Sequence, residues 1–100
     1  MGADIYIYCP SGAPGAARGD LEYDVEEFIG DAGEVTGGGS GVQGFNIDLQ
    51  LNDDQDLEHW VIRLRDFLRQ QGARRGTYFT VYPPDWHPNM AQRRVEVYEG

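Results

Sequence analysis

The segment Phe45-Asn46-Ile47-Asp48-Leu49-Gln50-Leu51 alternates apolar and polar residues without a break. A β-strand turns successive side chains to opposite faces, so such a run buries one face and wets the other, and a one-residue slip in pairing would expose every apolar side chain at once. After Asn52-Asp53-Asp54 the period changes. Leu57, Trp60, Val61, Leu64, Phe67 and Leu68 recur at three- and four-residue spacing, the stripe of an amphipathic helix. A half-buried strand followed by a one-sided helix cannot close a core alone, so the rest of the chain has to supply the other layers.

It does so in a regular order. Asp4 to Cys9 alternates and reads as a strand with Ile5 and Ile7 on one face. The breaker-rich loop Pro10–Gly19 follows, then Asp20 as a helix cap and Leu21, Val25, Phe28 and Ile29 as a second helical stripe. Gly30 or Gly33 ends that helix. Glu34 to Gly37 is a short strand weakened by the run Gly37–Gly41, so residues 34–51 form a hairpin whose first arm is bulged or frayed. Residues 52–54 are expected to cap the next helix and Gly72 to stop it. Thr77–Tyr82 is a strand halted by Pro83-Pro84, residues 83–92 are a loop, and Arg93–Tyr98 alternates once more. The expectation is a single α+β domain over residues 1–100: a ferredoxin-like βαββαβ sandwich with an additional C-terminal strand, two helices lying on one face of an antiparallel sheet.

Charge then narrows the partner. The net charge is −9, and it is uneven. Residues 1–62 hold 13 acids and one base (Arg18), whereas residues 63–100 hold 4 acids and 7 arginines. A field of this sign repels nucleic acid and anionic membranes and attracts basic proteins, although acidity alone also serves solubility. All eight bases are arginine, a usage typical of GC-rich bacterial genomes. No apolar run reaches the roughly 18 residues of a membrane span. Met1-Gly2-Ala3-Asp4 has no basic leader, so no secretory signal is expected. One cysteine, Cys9, cannot form an internal disulfide, which fits the cytoplasm.

If Ile5, Ile7, Phe45, Ile47, Leu49, Leu51, Phe79, Val81, Val95 and Val97 face the helices, parity puts Tyr6, Tyr8, Asn46, Asp48, Gln50, Tyr78, Thr80, Tyr82, Glu96 and Tyr98 on the open side. That surface carries five tyrosines, two acids and no base. Tyrosine offers a rigid apolar body with a polar tip and is a frequent interface anchor, but cross-strand tyrosine pairs also simply stabilise sheets. The candidate partner-binding residues are Tyr6, Tyr8, Asp48, Tyr78 and Tyr82, with the first-helix acids Glu22, Asp24, Glu26 and Glu27 as a rival surface.

Motifs for chemistry are weak. Gly39-Ser-Gly-Val-Gln-Gly44 fits G-x-G-x-x-G, but a strand follows it where a dinucleotide site needs a helix. No lysine exists for a phosphate-binding P-loop. Cys9 ends a strand before a loop but has no neighbouring histidine, and an acidic field raises a thiol pKa. His59 and His87 form no metal-binding pair, and Asp53, Asp54, Asp56 and Glu58 lack the glycine and distal glutamate of a calcium loop. No catalytic residue, metal or cofactor is expected.

The fold order is similar to that of the RNA-recognition motif, which stacks bases on sheet aromatics, but the basic residues that such a module sets around its aromatics are missing and Asp48 would meet the phosphates. Size, acidity, the tyrosine face and the lack of a catalytic motif together resemble the immunity proteins of bacterial polymorphic, contact-dependent and type VI secreted toxin systems. That resemblance implies a cytoplasmic inhibitor of a basic toxin and transfers no individual residue. The alternative from another class is a small ferredoxin-like enzyme or ligand-binding domain with a pocket near Cys9, the 10–19 loop and His87. The weak glycine-rich strand leaves an edge at which a second copy could pair as a homodimer.

Overall fold

In the computed structural model, which describes residues 2–10, 18–41, 44–73 and 75–98, the alternating segments pair into one five-stranded antiparallel sheet. The elements are β1 (Asp4–Pro10), α1 (Arg18–Ile29), a 3-10 turn (Gly30–Ala32), β2 (Gly33–Gly41), β3 (Gly44–Leu51), α2 (Leu57–Gln70), β4 (Tyr78–Tyr82) and β5 (Arg93–Glu96). Their order across the sheet is β2-β3-β1-β4-β5. The architecture is α+β, with both helices packed on this sheet.

Register follows the apolar parity. Ile5 faces Leu49 on one side and Val81 on the other; Ile7 likewise faces Ile47 and Phe79. These six side chains are essentially inaccessible and join Leu21, Val25 and Ile29 of α1 and Trp60, Val61, Leu64 and Leu68 of α2 in one core. Both helical stripes expected from the spacing are therefore the buried ones. A bulge between Val35 and Gly37 interrupts the β2–β3 pairing, where the hairpin's first arm was expected to be irregular. Between the helices, Phe28 of α1 stacks on Phe67 of α2 at 4.1 Å and meets the edge of Trp60 at 5.6 Å.

Both helix starts differ from expectation. Asp56, not residues 52–54, caps α2: its carboxylate accepts from the His59 amide, so the chain completes a turn before the helix begins. Asn52 is engaged elsewhere, its amide and side chain donating to Ala32 and Asp31 carbonyls at the end of the 3-10 turn. At the other end, Gly72 does stop α2. It sits at φ +76°, its amide returns to the Arg69 carbonyl, and the Ala73 amide reaches the Leu68 carbonyl. This is the Schellman arrangement, and Ala73 and Leu68 both lie in the core beneath it. α1 begins at Arg18, two residues before the expected cap at Asp20. β5 ends at Glu96, earlier than the alternation to Tyr98 suggested.

Among the described residues, no helix is long and apolar enough to cross a membrane.

Candidate partner-binding face

Because the helices occupy one side of the sheet, the opposite parity is left open, and the registers arrange it in rows. Glu34, Gln50, Asp4 and Tyr82 form one row; Gly37, Asp48, Tyr6, Thr80 and Arg94 a second; Gly39, Asn46, Tyr8, Tyr78 and Glu96 a third. Four of the five expected tyrosines thus share the face. Tyr8 stacks on Tyr78 with centroids 5.0 Å apart, and Tyr6 meets Tyr82 at 5.1 Å. At the end of the row Trp86 stands edge-on to Tyr82, 4.8 Å away at 84°. The Gln92 side chain donates to the Tyr82 hydroxyl, which holds the 83–92 loop against this end of the sheet.

Two expectations for the face are corrected. Tyr98 lies beyond the end of β5 and packs against the core, within 6 Å of the guanidinium groups of Arg69 and Arg75. The face also has a base. Arg94 shares the parity of Glu96, lies opposite Thr80, and covers the Tyr78 ring at 3.6 Å while pairing with Glu96 at 2.8 Å. Its charge is therefore met inside the molecule. Asp48 and Asp4 are different: Asp48 accepts from the Asn46 amide at 2.8 Å and Asp4 from the Gln50 amide at 3.3 Å. Their donors are neutral, and among the described residues no ion pair meets either charge. The β2 positions beside Asp48 and Asn46 are Gly37 and Gly39, so no side chain from the edge strand screens them.

Burial lifts the Tyr6 and Tyr8 phenols above the ordinary tyrosine range, and the carboxylates of Asp4 and Asp48 push Tyr6 the same way. Both rings stay neutral at physiological pH. The surface is thus apolar rings, neutral hydroxyls, anions and one guanidinium, Arg94, that is paired with Glu96; its rings and anions suit a cationic, partly apolar protein surface.

Glu22, Asp24, Glu26 and Glu27 lie on α1, on the other side of the sheet from the tyrosines, with Glu26 and Glu27 exposed. The structure therefore separates the two expected binding surfaces. The bases of the second half of the chain are largely engaged internally. Arg63 lies 4.4 Å from the Trp60 ring, the Arg69 Nε donates to the Val97 carbonyl at 2.5 Å, and Arg93 pairs with Glu58.

Cys9 is buried, and burial pushes its thiol up to about 11. It stands five residues along β1 from Asp4, whose partner Tyr82 leads into the loop bearing His87. At ~3.4 Å per residue Cys9 stands roughly 17 Å along the strand from the Tyr82 end, where the loop bearing His87 begins. Residues 11–17 of the loop expected to line it lie outside the described residues. Gly39 and Gly44 belong to paired strands β2 and β3, a context with no helix start for a dinucleotide; residues 42–43 of that motif are outside the described residues. Among the described residues no three histidine, cysteine or acidic side chains come together as a metal site.

Asp4, Trp86 and Arg94 were not singled out from the sequence. Asp4 and Arg94 were legible by parity, with Tyr6 and Glu96 respectively. Trp86 was signalled only by closeness to Pro83-Pro84, which turns the chain immediately after Tyr82.

Compared with protein-family models, with curated proteins and with solved structures, the chain matches none of them.

Proposed function

We propose that this chain is a binding protein that holds a basic protein partner against the open face of its sheet, and that it works as a cytoplasmic inhibitor in the manner of bacterial immunity proteins. The observation that carries the reading is the pairing of Asp4 and Asp48 with neutral amides amid Tyr6, Tyr8, Tyr78 and Tyr82. A carboxylate already held in place by an uncharged donor meets an incoming cation without first breaking an internal ion pair. Rings fixed by cross-strand stacking lose little rotamer freedom on docking. The net charge of −9 adds long-range attraction for a basic partner. Within this reading the fold is a ferredoxin-like sandwich extended by β5. Its support is that β1-α1-β2 steps over β3 and β3-α2-β4 steps over β1, two split βαβ units.

The test is affinity capture from the native host with the wild-type chain and a Tyr6→Ala/Tyr8→Ala variant, both shown folded by circular dichroism. The reading expects a basic protein on the wild type, displaced by rising salt, absent from the variant, and inhibited in its own activity by the wild-type chain. Equal capture by the two chains, or a partner whose activity is untouched, would contradict it.

A further inference from the structure

At the Asp4 end of the open face the 83–92 loop encloses a cleft of ≈120 Å³ lined by Gly2, Asp4, Gln50, Tyr82, Pro83, Pro84 and Trp86. Small-molecule sites run to roughly 300–1,000 Å³, so this one is sized for a single side-chain head group. Gly2 can carry no side chain there, because a Cβ would lie 1.5 Å from the Leu51 carbonyl oxygen. Tyr82 and Trp86 are two aromatic walls near perpendicular to one another, the first pinned by Gln92 and the second by the turn in which its amide donates to the Pro83 carbonyl. The polar wall is the Asp4 carboxylate, oriented by Gln50.

Aromatic faces together with one anion are the chemistry that recognises an organic cation. Resting on the binding role above, we infer that this cleft receives one arginine side chain of the basic partner. Arginine suits it better than lysine because a planar guanidinium stacks on rings while its fork bonds a carboxylate. The same pairing already occurs on this face, where Arg94 lies over Tyr78 and binds Glu96. The Trp86 Nε1 donor is shielded and has no acceptor among the described residues.

The test needs no partner. Acetyl-arginine amide is titrated into the isotopically labelled full chain, with acetyl-citrulline amide as the uncharged isostere, and backbone and indole signals are followed by two-dimensional NMR. The expected result is saturable shifts of the Trp86 indole and of the Asp4 and Gln50 amides in the millimolar range, with citrulline at least about tenfold weaker. Asp4→Asn should remove the preference for arginine, and Trp86→Leu, which leaves the carboxylate in place, should weaken both probes. Shifts that do not saturate, equal binding of citrulline, or an unchanged arginine preference in Asp4→Asn would overturn the assignment. If wild-type capture of a basic partner survives that outcome, the subsite fails and the binding role stands; if capture fails while the probe binds, the binding role fails instead.

Discussion

Tyr8 and Tyr78 stack across β1 and β4 with their ring centroids 5.0 Å apart, and the Arg94 guanidinium lies over the Tyr78 ring at 3.6 Å. The pair is at once a piece of sheet stability and a piece of accessible surface, and the two roles differ in size. A double-mutant cycle of Tyr8→Ala and Tyr78→Ala in denaturant melts should give a coupling of about 0.5–1.5 kcal/mol, the ordinary worth of an aromatic pair. The effect of Tyr8→Ala on partner affinity should be larger, about 2 kcal/mol. Stability loss without affinity loss would reduce the tyrosines to sheet pairing.

Leu64 lies wholly within the core on α2. Leu64→Ala should lower the unfolding free energy by about 2–5 kcal/mol, the range for removing a buried leucine. A loss below about 0.5 kcal/mol in urea melts would mean that α2 does not pack as described.

Gly72 occupies the left-handed region at φ +76° with open space where a Cβ would project. The cost of a side chain there is therefore conformational and not steric crowding by neighbours. Gly72→Ala should destabilise by about 1–2 kcal/mol, and Gly72→Asn by less, because asparagine tolerates this region. Equal losses for the two would argue against the left-handed cap.

Burial raises the Cys9 thiol from its ordinary 9.0 to about 11. At pH 8 about one thiol in a thousand is ionised in the native protein, so alkylation by iodoacetamide should be slow until the chain unfolds. The sign for stability follows from the same shift. The native state holds the proton more tightly than the unfolded state, so the contribution is complete below pH 9 and is lost as pH rises towards about 11. The stability of wild type relative to Cys9→Ala should fall across that interval. Cys9→Ser should leave partner binding intact; its loss in a folded variant would favour chemistry at the thiol.

Much of the fold was legible because burial parity is a strong constraint. Ile5, Ile7, Ile47 and Leu49 had to share one face, since a one-residue slip would expose a whole apolar set, and the stripes at Leu21–Ile29 and Leu57–Leu68 could turn only one way. Local hydrogen-bond competition was harder to read. Asn52, Asp53, Asp54 and Asp56 are all good caps by residue type, and the choice of Asp56 depends on Asn52 being drawn to the 3-10 turn after α1, a contact between segments distant in sequence. The open face of the sheet was legible where strands carry it, at Tyr6, Tyr8, Asp48, Tyr78 and Tyr82. Trp86 escaped because a loop has no period, and its position depends on the Tyr82 ring and the Gln92 contact. Tyr98 was misplaced because alternation in sequence outlasted the strand, and its ring turned to Arg69 and Arg75.

The central claim is that the tyrosine face, and not the α1 acids, holds the partner. Surface plasmon resonance against the captured partner separates them, with one chain carrying Tyr6→Ala and Tyr82→Ala and another carrying Glu22→Gln, Asp24→Asn, Glu26→Gln and Glu27→Gln. The account predicts that the face variant dissociates at least about tenfold faster, whereas the helix variant associates more slowly, loses salt dependence and dissociates at the wild-type rate. A helix variant that releases the partner quickly, beside a face variant that binds normally, would contradict it.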